Sequence, residues 1–370
     1  MPFPFKEPSP LPIGDIQKLK KETLPATEVK NHVLWVNPDF PEIPLDLPSS
    51  KQLKRAKAKQ EQISSNLGIF LKSKDGERKV EIDSGHSRSG LLGRVIFKDC
   101  EGNLYRDVDA KGLGGSFVFG HARVVSNIVI REDGQSTGTV RKDYALHDRD
   151  MSEKLFSKGI RVVRVLGIIE LEEIIPDQDG KKTSVKHAQA IGRLAPDTVP
   201  VLEIRAFGTH YRLSDPGKNL SDEEIWQAVR MLEDARSLVA AELSRSEKEF
   251  GWRDYFLWLW RTIGENLGRM HKNRMLHKYL TQGHNITLDG RIVDFDSVEE
   301  LRESEESTAR FDAEMVELHH AIKKFTEKFL RAITNQLDSE NRTENLSGIM
   351  GEAEWQFIEA YEEENPTKES

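Results

Sequence analysis

Residues 277–296 read HKYLTQGHNITLDGRIVDFD. Just upstream, Trp252 to Met275 has helical spacing, with Ile263, Leu267 and Met270 on one side. Asn285 opens a short apolar segment that ends in Asp289-Gly290, the usual two-residue hairpin signal. A second apolar segment then delivers Asp294. A hairpin folds back on itself, so Asn285 and Asp294 are expected to converge at one end. An amide oxygen beside a carboxylate supplies the hard oxygen ligands that Mg²⁺ prefers and shares with nucleotide phosphates. The plainer alternative is a surface hairpin whose Asn and Asp serve only the turn.

Working outward, three more segments carry chemistry. Residues 108–115, VDAKGLGG, place Lys111 at a strand end before Gly112 and Gly114, where an ammonium and bare backbone can meet phosphates. Upstream lies SGHSRSGLLG, residues 84–93, a glycine- and serine-rich turn ending at Gly93. A glycine-rich loop before a lysine-bearing strand is the order of protein kinases, and no GxxxxGK[ST] loop is present. Residues 143–158 read as a helix closed by Gly159 and carry Asp148 and Glu153, either of which could pair with Lys111. Residues 201–212, VLEIRAFGTHYR, hold Arg205 and Arg212, suited to phosphate oxygens or to plain salt bridges.

The chain has 370 residues, enough for one two-lobed domain. Residues 1–65 are proline-rich, with a basic helical stretch at 51–65, and read as a partly irregular extension. Residues 66–215 read as strand-rich, with strands at Arg94–Phe97, Val124–Val125, Ile128–Ile130, Val162–Leu171 and Val201–Phe207. Residues 216–370 read as helical. A capping box joins Ser221 to Glu224, and Phe311, Met315, Leu318, Ile322, Phe325 and Phe329 mark a long amphipathic helix. The order predicts an α+β fold of two lobes with a cleft between them. Trp258 and Trp260 are expected in the core, His319 and His320 in solvent, and His277 as a buttress of the loop.

A net charge of −8 argues against nucleic acid as a partner. The single cysteine, Cys100, rules out an intramolecular disulfide or a cysteine-based zinc site and fits a reducing cytoplasm. No apolar run has membrane-spanning length, and Met1 to Lys6 lack a secretory pattern, so a cytoplasmic protein without membrane attachment is expected.

These segments, in this order, resemble the selenoprotein O (SelO) family, protein-kinase-like adenylyltransferases, and the chain looks like a shorter, divergent member. The likeness covers roughly residues 85–300. Gly85-His86 with Leu-Leu-Gly93 looks like the family's Gly-His stretch and glycine-rich turn, and Lys111-Gly-Leu-Gly114 like its phosphate-binding Lys-Gly-x-Gly. Asp148, with Ser152-Glu153 and Gly159-Ile160, falls where the family has its ion-pairing glutamate. Arg205 and Arg212 look like its paired arginines, and Asn285 and Asp294 like its metal-holding Asn and Asp.

The resemblance implies a kinase-like fold with a strand-rich N-lobe and a helical C-lobe, ATP with Mg²⁺ or Mn²⁺, and AMP transfer to protein Ser, Thr or Tyr hydroxyls, the chain itself included among candidate substrates. Lys111, Gly93, Gly112, Gly114, Asp148, Glu153, Arg205 and Arg212 would handle the nucleotide. His284 stands where the family has an aspartate proposed as base, and a neutral imidazole can take a proton near pH 7. No aspartate lies between His277 and Asn285, and Tyr279 occupies the place of the kinase base. Two alternatives remain open: a kinase-like phosphotransferase with ordinary ATP orientation, and a non-catalytic nucleotide-binding pseudokinase.

Overall fold

The structure is a computed structural model describing residues 22–40, 67–82, 88–119, 122–125, 128–130, 132, 136–215, 222–339, 346 and 348–366. It is a mixed α+β chain whose residues cluster into two compact units. The first holds Lys21–Arg149 and Arg164–Phe207, the second Asp150–Val163 and Gly208–Ser370. The boundary falls inside helix α1 (Lys142–Phe156).

The first unit is built on a nine-stranded sheet in which every pairing is antiparallel. Its strands are β1 (Glu22–Glu28), β2 (Asn31–Val36), β3 (Ile69–Leu71), β4 (Arg78–Ile82), β5 (Ser89–Lys98), β6 (Leu104–Lys111), β9 (Val140–Arg141), β10 (Arg164–Leu171) and β13 (Pro200–Phe207). The order is β2-β10-β13-β6-β5-β4-β1-β3, with β9 on β13. Two small ribbons flank it, β7 (Ser116–Phe119) with β8 (Ala122–Val125), and β11 (Glu173–Ile174) with β12 (Thr183–Ser184), the latter leading into helix α2 (Val185–Ala190).

Residues 22–36 correct the reading of residues 1–65 as a partly irregular extension. They form β1 and β2 of the sheet, and β1 lies between β4 and β3 with Leu24 and Ala26 buried. Pro25 interrupts the strand signal there, because proline cannot donate to a ladder. Residues 128–130 form no strand, and only Ile130 bridges to Ser136. Gly85-His86, the 51–65 stretch and Ser221 of the capping box lie outside the described residues.

Every residue of β6 and β13 is buried, although LYRDVDAK is half charged. Such a strand is stable only if its charges are paired. The register does this: Glu203 lies opposite Lys111, and Arg205 opposite Asp109. Cross-strand neighbours on one face therefore alternate in sign. Around Phe70, Phe97, Tyr105, Leu166 and Ile204 the sheet has its apolar core, with Phe40 edge-on to Tyr105 at 5.2 Å.

The second unit holds helices α3 (Asp222–Glu242), α4 (Trp252–Lys272), α5 (Glu305–Ser339) and α6 (Ile349–Glu364). Gly264 and Gly268 let α4 approach α6 closely: a Cβ on Gly264 would lie 2.5 Å from the Phe357 carbonyl oxygen. Trp260 is fully buried, whereas Trp258 is only half-buried under the Arg161 guanidinium. His319 is not a solvated surface residue. It is half-buried against the rings of Trp260 and Phe357, because a helix of this length turns more than one face inward. Among the described residues no helix is long and apolar enough to cross a membrane.

A buried polar trio joins three of these helices. His271 Nε2 is 2.9 Å from Glu314 Oε2, and its Nδ1 is 2.9 Å from the Tyr361 hydroxyl. Burial pushes the Glu314 carboxyl up to about 8, offset in part by the His277 backbone N–H. It pushes the His271 imidazole down to about 3. The folded pair therefore keeps one proton from about 3 to about 8. Unfolded, the carboxyl and imidazole take their ordinary values of 4.5 and 6.5, so between these both states hold one proton and stability is level. Above 6.5 the unfolded pair holds none, and stability falls as pH rises towards 8. Below 4.5 the unfolded pair holds two, and stability falls with acid. Each limb has a limiting slope of about 1.4 kcal/mol per pH unit. In thermal melts, Glu314→Gln is expected to flatten the alkaline limb and to make the acid limb begin near 6.5 instead of 4.5, because only the buried His271 then titrates.

Candidate functional site

In the first unit, β6 ends in Lys111, and the chain leaves it through Gly112 at φ 102° and Gly114 at φ 107°, conformations that side chains rarely adopt. A Cβ on Gly114 would also come within 2.6 Å of the Phe70 ring. The lysine Nζ is 3.0 Å from Asp148 Oδ2 on α1. This settles the choice between the two acids of that helix: the partner is Asp148, and Glu153 lies half-buried further along. A second carboxylate, Glu203 on β13, lies 4.0 Å from the same Nζ. Asp148 Oδ1 is buried without a hydrogen-bond partner among the described residues.

Arg205, predicted to bind phosphate, forms a buried fork with Asp109 at 2.8 and 2.7 Å and lies over the Phe207 ring. Its guanidinium is thus engaged by the sheet itself. Gly93 does not end a glycine-rich turn. It lies inside β5 where the register with β6 shifts, the bulge that a glycine in a strand often marks.

In the second unit, the segment read as a hairpin is one. The Val293 N–H donates to the Asn285 carbonyl at 3.0 Å, that of Thr287 to Arg291 at 2.9 Å, and Gly290 turns at φ 75°. Residues 211–213 flank it through Leu288 N–H to Tyr211 and Leu213 N–H to Ile286. Asn285 and Asp294 therefore start and finish the same hairpin end. Asp294 sits in the left-handed region at φ 59° and ψ 71°, a strained place for a non-glycine residue that aspartate tolerates better than most. The Asn285 amide nitrogen donates to the Tyr279 carbonyl at 3.4 Å.

Helical and short-strand supports hold this end in place. β14 (Met275–His277) pairs with β15 (Val298–Glu300). His277, fully buried, is 3.0 Å from the Val293 carbonyl through Nε2 and 3.1 Å from the Ser297 hydroxyl through Nδ1, and that hydroxyl oxygen lies 3.2 Å from the Asp294 carbonyl. Burial lowers the His277 pKa, so it buttresses the loop as a neutral ring. Arg212 NH1 donates to Asp294 Oδ2 at 2.9 Å and to the His284 carbonyl. The His284 side chain is exposed.

Asp289 is more than a turn residue. It is fully buried and takes the Thr287 hydroxyl at 2.6 Å, Arg291 in close contact and Arg161 at 3.3 Å. Three carbonyls at the tip are caught by side chains: Leu288 by Tyr255, Asp289 by Arg161 and Gly290 by Asn266. Glu203 and Asp289 were missed in the sequence. Alternation along VLEIRAF places Glu203 on the face of Arg205 and could have found the first; no local signal marks the second.

The donor set at this end fits a hard divalent cation. Asp294 is about a quarter exposed, Asn285 offers an amide oxygen, and Mg²⁺ commonly takes its other ligands from water and phosphate. Among the described residues no three of His, Cys, Asp or Glu gather into a closed metal nest. A cavity of about 400 Å³ elsewhere in the second unit, between Val229, Arg236, Trp252 and Leu337, contains none of these residues. Cys100 is exposed, and partial desolvation with neighbouring Asp39, Asp99 and Glu101 raises its pKa, the opposite of an activated thiolate. No family model matches the chain, and no curated protein matches it either.

Proposed function

We propose that the protein is an ATP-dependent protein adenylyltransferase of the kinase-like, SelO type, moving AMP from ATP to a protein Ser, Thr or Tyr hydroxyl. The observation that carries this reading is the Lys111–Asp148 pair. A lysine at a strand end, followed by glycines, meets an acid 37 residues on, from the helix where kinase-like chains keep theirs.

In the reaction, the hydroxyl oxygen forms a bond to the α-phosphorus, the bond to the bridging oxygen breaks, and pyrophosphate leaves. Within the first unit, Lys111 would hold phosphate oxygens, its ammonium aimed by Asp148 at 3.0 Å with Glu203 at 4.0 Å. Within the second unit, Asn285 and Asp294 would hold the divalent cation, which would supply charge neutralisation to bound phosphates. His284, exposed and next to Asn285, accepts the hydroxyl proton. Positioning and charge do most of the work, since phosphoryl-type transfers need little covalent help.

A second reading is favoured by one feature: between His277 and Asn285 no aspartate is present, as expected of a nucleotide-binding pseudokinase. Parallel assays with α- and γ-labelled ATP and Mg²⁺ or Mn²⁺ separate the readings. The α-label should appear on protein, and Lys111→Met should lower it at least ~100-fold, the scale of losing one strong transition-state contact. Label from the γ-position alone would make the protein a kinase. Neither label, with ATP still raising the melting temperature, would favour the pseudokinase.

A further inference from the structure

Two arginines from the same stretch of chain hold carboxylates in different ways. Arg205 grips Asp109 with two nitrogens, the geometry of a permanent structural pair. Arg212 reaches Asp294 Oδ2 and the His284 carbonyl with NH1 alone. Its Nε is buried without a hydrogen-bond partner among the described residues. Arg212 itself is buried, and its backbone is fixed by the bridge to Thr287 and by its N–H to Asp215 Oδ2 at 2.7 Å. The guanidinium is thus kept close to Asp294 by its backbone, yet is held there by one nitrogen.

We propose that Arg212 is the resident counter-cation of the metal site and makes metal binding depend on a polyphosphate anion. The inference rests on the reading of Asn285 and Asp294 as the metal ligands. With Arg212 in place the charge of Asp294 is already neutralised, and the oxygen a dication needs is shared with a cation. A bare divalent ion therefore binds against like-charge repulsion in a partly buried setting. An anion such as the phosphate chain of a nucleotide draws the guanidinium to itself, uses the unsatisfied Nε, and frees Asp294 Oδ2. Metal and polyphosphate then bind with positive coupling, and linkage makes that coupling reciprocal.

Calorimetric titration of the full chain with Mn²⁺ alone, without nucleotide, tests this. Arg212→Gln removes the competing charge and should tighten bare Mn²⁺ binding by about tenfold, within the usual range of such couplings. Unchanged or weaker binding overturns the proposal. Should that variant fail to fold, Arg212→Met is read instead. It also removes the guanidinium charge and should tighten Mn²⁺ binding by about tenfold, and no change again overturns the proposal. Asp294→Ala is run beside them. If it abolishes Mn²⁺ binding while the Arg212 variants leave the affinity unchanged, the coupling alone fails. If Asp294→Ala binds Mn²⁺ like the parent chain, the metal assignment fails and the coupling with it.

Discussion

If the proposed activity holds, Asp294→Asn is expected to lower AMP transfer at least ~100-fold with little change in melting temperature. The substitution isolates charge from backbone. Asp294 sits at φ 59°, in a region that asparagine tolerates about as well as aspartate. An amide oxygen can still accept from Arg212, so the contact that closes the hairpin end survives. What disappears is the negative charge that would face the proposed divalent cation, and with it the attraction that would hold the ion through the transition state. A hundredfold loss corresponds to about 2.7 kcal/mol. The check is kcat/KM for α-label transfer beside a thermal melt of the same preparation. Activity within a few-fold of the parent would remove Asp294 from the metal site.

The second large effect concerns stability. Asp289→Ala is expected to cost about 3–5 kcal/mol, because it leaves buried guanidinium charge without its carboxylate. Arg161 keeps its fork to Glu242 at 2.7 and 2.6 Å, so most of the loss falls on Arg291, which is itself buried. The Thr287 hydroxyl loses its 2.6 Å acceptor as well and keeps only the Arg291 carbonyl at 3.3 Å. Asp289→Asn keeps an acceptor for that hydroxyl and should cost less than alanine. Urea denaturation curves of the three proteins measure the difference. An alanine variant within 1 kcal/mol of the parent would mean that solvent reaches Arg291 and the network is not the anchor described here.

Both residues belong to a hairpin that was legible in the sequence from one dipeptide and two short apolar segments. The Asp-Gly pair fixes the turn, and the register then brings Asn285 and Asp294 to one end. Lys111 was legible for a similar local reason, a strand followed by glycines. Its acid was not, because Asp148 and Glu153 are both plausible on one helix until packing selects one. Elsewhere the local signal misled. Gly93 lies among glycines and serines that suggest a turn, yet it is accommodated as a bulge within β5. Residues 22–36 look irregular because Pro25 breaks their period, but their inward residues complete the sheet. Asp289 could not be read at all as a buried ion, since Arg161 and Arg291 approach it only through tertiary structure.

The tip of that hairpin has one more implication. Surface turns are where chains usually accept insertions and where proteases cut, because their backbone is free to leave the body. Here the carbonyls of Leu288, Asp289 and Gly290 are each tied to a side chain, two of them from α4. Lengthening the turn by a single residue would put those three groups out of reach together. The length of the 285–294 segment is therefore fixed by the interior of the helical unit, and variation among relatives of this chain should fall on either side of it.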